Sequence, residues 1–452
     1  MRAVLGLLIY VVRRAPLTKQ RGAPFCLCCE NIGGEELVVR IAYMIKRCFS
    51  RDETIYLQRP KASSLNIAMR ILHFCCAYIF ISLIFVCIGA NSSCAYDAKS
   101  TAMFASKADA TLSSKYRMID LFAGIGGMRL GFELTGRGHC VFTSEWDAQC
   151  CKTYLANWPG SEIKGDIRKI EPQTIPDFDI LCAGFPCQPF STIGRREGFE
   201  HKTQGTLFFN MAKIIHEKRP KAFLLENVPG ILSHDKGKTF ATICDVLRRD
   251  LGYEMDYRIL DAADFGLPQF RKRVFFVGFR KDLGICVRGI DFEKNNNGKV
   301  VNECKSINFT FPTGAFRNSH VGFGRFMETN AIGPSVSVHL QTNYLFKVND
   351  GRPQIVDADT TFPVKTLCAS YHKIQRLTGT FVRGGKTGIR LFTESECKAL
   401  QGFPNDFKVP VSRTSMYRQF GNAVAVPVVQ AIAEEMLRCL DAVSVLEVTE
   451  NQ

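Results

Sequence analysis

Acid is what this chain has too little of. Against 58 Lys and Arg stand 43 Asp and Glu, a net charge of +15 over 452 residues. That balance bears on partners rather than on fold, speaks against a cationic ligand and makes a polyanion the leading candidate. The shortage is not confined to one end: residues 1–112 hold 14 basic and 7 acidic side chains, a net of +7, which leaves +8 for the remainder. Cysteine is plentiful, at 19, but lacks regular spacing after residue 112, which excludes a disulfide framework and favours a reducing compartment. Cys26 and Cys29 make one Cys-x-x-Cys pair without a second at zinc-site distance, so no metal is expected.

Apolar runs long enough to cross a bilayer are also missing, with one exception. Ile71 to Ala90 is apolar apart from His73 and Ser82, and reads as a membrane span or, from Met69, as a secretory signal. The basic residues upstream would put everything after 90 outside the cytoplasm. The expectation is therefore that residues 1 to about 102 are not part of the working protein, for instance because translation starts at Met103, with membrane tethering as the alternative.

From residue 113 the chain reads as an α/β protein, and 46% apolar content supports a sizeable core. Arg117 to Phe122 is a strand, Ala123-Gly124-Ile125-Gly126-Gly127 a glycine turn and Met128 to Leu134 a helix, the opening unit of a nucleotide-type fold. A second strand ends at Glu145-Trp146-Asp147, about 20 positions on, where a carboxylate can grip ribose hydroxyls and an indole can stack beside adenine. Lys164-Gly165-Asp166-Ile167 is a further acidic turn at a third strand end, and Asp166 suits an adenine amino group. Three such turns point to an adenosine-bearing cofactor.

Phe178 to Ala183 reads as a buried parallel strand leading into Gly184-Phe185-Pro186-Cys187-Gln188-Pro189-Phe190-Ser191. Most cysteines are apolar filler. Cys187 differs: prolines flank it and it falls at the carboxyl edge of the sheet, which makes it a candidate nucleophile. The polar, basic loop from Ser191 to Gly205 has the length of a lid. After a helix from Leu207 to Lys218, the strand Lys221 to Leu225 ends in Glu226-Asn227-Val228, a carboxylate able to reach the same pocket.

Thr239 to Leu251 is expected to be a helix, Tyr253 to Leu260 and Val274 to Phe279 strands. Between them, alternation puts Gln269, Arg271 and Arg273 on one face, suited to a base edge and phosphates. From about 281 to 387 the βα rhythm gives way to a separate, loop-rich small domain, in which Arg383-Gly384-Gly385-Lys386 suits phosphates. Thr393 opens a capped helix. Gln419-Phe420-Gly421-Asn422-Ala423-Val424 precedes a long helix expected from about Pro427 to Leu440, and this part of the chain is expected to fold back on the first glycine turn.

In this order the motifs resemble those of the cytosine-C5 DNA methyltransferases, closest to the small bacterial restriction-modification type. About 320 residues are covered; residues 1–112 have no counterpart, and Gln204 stands where members often carry arginine. The resemblance implies a Rossmann-like sheet over 113–280 and 388–452, with 281–387 as target-recognition domain. It implies S-adenosylmethionine as cofactor, held by Phe122, Gly124, Ile125, Gly126, Gly127, Glu145, Trp146, Asp166, Ile167, Pro186, Asn422 and Val424. The implied catalytic residues are Cys187, Glu226, Arg271 and Arg273, acting on a cytosine flipped from double-stranded DNA. A cytoplasmic, nucleoid-associated monomer is expected, and whether it has a cognate restriction endonuclease stays open. The alternative is a transfer-RNA methyltransferase of the same fold, whose Cys-Phe-Thr signature is absent.

Overall fold

The computed structural model describes residues 116–186, 207–287 and 307–450, the last with side chains to 446. The apolar segment 71–90 and Met103 lie outside the described residues. Among those described, no helix is long and apolar enough to cross a membrane.

Strands β1 (Tyr116–Leu121), β2 (Gly138–Ser144), β3 (Ile163–Lys164), β4 (Ile180–Gly184), β5 (Ala222–Asn227), β6 (Tyr253–Asp261) and β7 (Lys272–Arg280) form one sheet in the order β3-β2-β1-β4-β5-β7-β6. β1 to β5 run parallel, and β7 is antiparallel to both its neighbours. The chain winds outward from β1 through β2 to β3, then returns to place β4 on the other side of β1. Such a reversal leaves a crevice at the carboxyl ends of the two strands.

The period of two decides what each face buries. Tyr116 and Met118 of β1, Ile180 and Cys182 of β4, and Phe275, Val277 and Phe279 of β7 join one apolar cluster. Ile119, Leu121, Leu181, Ala183, Val274 and Phe276 join the cluster on the opposite face. On the first face lie helix α1 (Gly127–Glu133) and a long C-terminal helix, on the second α3 (Leu207–Lys218) and α4 (Lys238–Asp245). Helix α2 (Ala148–Asn157) connects β2 to β3. The expected helix 239–251 is α4 followed by a wider turn of π type over Val246–Asp250.

Beyond β7 the elements are short: β8 (Cys286–Val287) pairs with β9 (Asn308–Phe309), and β10 (Gln354–Val356), β11 (Thr380–Arg383) and β12 (Ile389–Arg390) make a three-stranded sheet. Cys286 is disulfide-bonded, and the other cysteines among the described residues are free. Phe323, Val356, Phe381 and Phe392 are buried in one cluster with Ala123, Leu130 and Tyr154 of the α/β part, so this region shares a core with the glycine turn.

Helices α5 (Glu394–Gln401), α6 (Arg413–Asn422) and α7 (Val426–Glu450) end the chain. Thr393 caps α5 in a complete capping box with Glu396, and Gly402 ends it in the left-handed conformation. Gly421-Asn422 closes α6, where Ala423 is extended and breaks the run, and the long helix starts at Val426, beside the expected Pro427.

Candidate active site

The site grows from the ends of five neighbouring strands. After β1, Phe122 and Gly124 take positive φ of 56° and 54°, and Gly126 takes 86°. A methyl group on Gly126 would also run into the Trp158 ring, so only glycine serves there. Glu145, just after β2, spends both oxygens on this turn and the next: Oε2 accepts from the Gly124 amide and Oε1 from the Asp147 amide, each at 2.7 Å. Each oxygen keeps a lone pair for a ligand hydroxyl. Trp146 stands beside it, 77% exposed. After β3, Asp166 accepts from the amide and guanidinium of Arg168, which holds its carboxyl below the usual range.

The register continues the site across the sheet. Gly184 of β4 pairs with Glu226 of β5, and Glu226 pairs with Phe275 of β7. Arg273 Nε then reaches Glu226 Oε1 at 3.0 Å. Glu226 is nearly fully buried. Burial pushes its pKa above the usual range, and Arg273 and then Arg271 offset only part of that. Asn227, to which the residue pattern assigns no role, donates to the Phe185 carbonyl at 2.8 Å and so fixes the turn before Pro186.

A cleft of about 660 Å³ joins these groups. Phe122, Gly124, Ile125, Gly127, Glu145, Trp146, Asp166, Ile167, Pro186, Asn422 and Val424 line it, as do Glu226 and Arg273. Gly126 does not line it and acts by shaping the turn. Cys187, next in the chain after Pro186, and the segment Ser191 to Gly205 lie outside the described residues.

Arg271, expected to be catalytic, stands back from the cleft. Its side chain is 1% exposed and does not line the cleft; the guanidinium donates to the carbonyls of Leu367 at 3.1 Å, Gly421 at 2.9 Å and Ala423 at 2.6 Å. Burial, with the nearby Arg273 charge, lowers its pKa to about 9. Gln269 is likewise buried, bonded to the Leu400 carbonyl and the Leu367 amide. Residues 367 and 421–423 cover the face on which alternation puts these two, so of the three only Arg273 lines the cleft. Arg271 positions the closing segment.

The cleft falls within the usual ligand range of roughly 300–1,000 Å³. A carboxylate oriented by two amides, an exposed indole and a glycine turn all belong to it, so the donor and acceptor set fits an adenosine cofactor.

Residues 116–438 match the family of C-5 cytosine-specific DNA methylases. The chain belongs to this family. Among its methylase relatives, the type II methyltransferase M.BsuFI of Bacillus subtilis is 53% identical over 322 residues, 71% of this chain and 72% of that protein. M.MspI of Moraxella sp is 49% identical over 339 residues, 75% and 74%. M.HpaII of Haemophilus parainfluenzae is 40% identical over 346 residues, 75% and 94%. The methylase fold agrees with that of Spodoptera frugiperda DNMT2, at a TM-score of 0.54 and 20% identity, covering 72% of this chain and 99% of that one. A putative DNA modification methyltransferase from an Escherichia coli prophage gives 0.51 and 20%, with the same coverage. The family is one of DNA methylases, which favours DNA over the transfer-RNA alternative.

Proposed function

We propose that this methylase uses S-adenosylmethionine to modify C5 of a cytosine rotated out of double-stranded DNA, with Cys187 as nucleophile. The observation that supports this best is the cleft in which the glycine turn and Glu145 meet the buried Glu226–Arg273 pair. When bound, the cofactor supplies an electrophilic methyl group. Glu145 would hold its ribose hydroxyls, Trp146 and Asp166 its adenine, and Asn422 and Val424 would close over it.

C5 of cytosine is too weak a nucleophile to react in its aromatic ring. Addition of the Cys187 thiolate to C6 forms a C–S bond and moves the electron pair to C5. Glu226, raised in pKa and therefore prone to carry a proton, donates it at N3, and Arg273 donates to O2, so the added electron density is stabilised. After C5 is methylated, its proton passes to water, the C–S bond breaks as N3 returns its proton to Glu226, and the thiolate leaves. Such addition requires the base outside the stack.

Since these relatives carry the names of type II methyltransferases, we place the chain as a sequence-specific modification enzyme of the cytoplasm, with residues 281–387 reading the target. A cognate endonuclease would cut the same sites. The test is incubation with duplex DNA containing 5-fluorocytosine, in which fluorine blocks the last proton loss. A denaturation-resistant complex mapped by mass spectrometry to Cys187, and lost in Cys187→Ser, is expected. Methyl transfer to RNA with none to DNA would overturn the reading.

A further inference from the structure

At the cleft mouth, a basic side chain from α6 reaches across to the turn after β2. Arg418 lines the cleft, and its Nη2 donates to Asp147 Oδ2 at 2.5 Å. The Asp147 carboxylate also caps α2, where Oδ1 accepts from the amides of Gln149 at 2.9 Å and Cys150 at 3.0 Å. The Asp147 amide in turn donates to Glu145, whose other oxygen accepts from Gly124. A chain of bonds thus runs from Arg418 through Asp147 and Glu145 to the glycine turn.

The neighbouring residue ties the same two helices from within. Gln419 accepts from Thr153 Oγ1 at 3.0 Å and donates to the Gln149 carbonyl at 2.8 Å. It is 3% exposed, whereas the Arg418 side chain is 49% exposed. Gln419 therefore docks α6 on α2, and Arg418 reaches across the open side. An ordinary surface ion pair contributes little. This one differs in place, because both partners line the cleft and the acceptor also caps α2 directly after Trp146.

We propose that Arg418 is a positioning residue for the cofactor: by holding Asp147 it fixes the turn that presents Glu145 and Trp146, and so tightens the adenosine end of the cleft. The proposal rests on the reading of this cleft as the cofactor site.

The test is titration of the full chain with S-adenosylhomocysteine by calorimetry, for the wild type, Arg418→Met, Asp147→Asn and the double variant. Asparagine caps a helix about as well as aspartate, so Asp147→Asn removes the charge and keeps the cap. Each single substitution is expected to weaken binding about fivefold, since an ion pair of this exposure is worth up to about 1 kcal/mol. The double variant should bind no worse than the weaker single one, because both remove the same contact. Arg418→Lys should recover part of the loss. Trp146 is one of only two tryptophans and Trp158 is buried, so acrylamide quenching reads the same site; the ligand should shield Trp146 less in the variants.

Wild-type affinity in both single variants would overturn the proposal. So would losses that multiply in the double variant, which would make Arg418 a direct ligand contact, or a fall in melting temperature that tracks the loss of affinity. Failure of the wild type to bind S-adenosylhomocysteine would instead sink the cofactor reading itself.

Discussion

Glu226 sits between two opposed influences, an apolar burial that disfavours its charge and an arginine 3.0 Å away that favours it. Burial prevails, and the folded-state pKa lies above the usual 4.5. A raised value means that stability from this residue is full below about 4.5 and is lost as pH rises through the folded value. Glu226→Gln mimics the protonated form and escapes that loss. Its melting temperature should therefore match the wild type at pH 4 and exceed it at pH 8, the gap opening above about pH 4.5 and levelling off past the folded value, while methyl transfer falls by at least about a hundredfold. Calorimetric melts across that range check the first part, and a gap independent of pH would refute it. Asp120 is a second buried acid, pushed well up by burial that Arg129 offsets only in part. Nothing in the residue order marks it, since it lies within an ordinary β-rich run.

Helices α1 and α7 approach so closely that a side chain between them has no room. A methyl group on Gly131 would lie 2.5 Å from Val429 Cγ1 and 3.1 Å from the Gln430 amide nitrogen. Gly131→Ala should thus cost about 1–3 kcal/mol, read as a lower urea midpoint with unchanged slope. Adding Val429→Ala should return part of that, because the nearest obstruction is a side chain. The segment between α6 and α7 matters for a different reason. Arg271 bonds the Gly421 and Ala423 carbonyls, and a methyl group on Gly127 would strike Val424 at 2.8 Å, so this segment is fixed on one side by Arg271 and on the other by the glycine turn.

At the scale of the molecule, a net charge of +15, of which +8 lies after residue 112, suits a polyanionic substrate. Fluorescence anisotropy with duplex DNA should give log K falling linearly with log salt. A complex neutralising about six phosphates would lose about a thousandfold between 50 and 200 mM. A binding constant flat in salt would show that the basic excess lies away from the DNA.

The sequence alone determined the sheet, the glycine turn, the order of the strand ends and the Glu226 turn, because alternation of period two and turn chemistry are local properties that residues carry wherever they lie. It also placed Arg271 and Arg273 on one face. What only the tertiary structure decided is which part of that face stays open: residues 367 and 421–423, about 100 and 150 positions away, cover Arg271 and leave Arg273 beside Glu226. The same holds for Arg418, an unremarkable residue in its helix until α6 is laid beside the α2 cap. Local pattern fixes direction, but burial and partnership depend on what the rest of the chain brings to meet it.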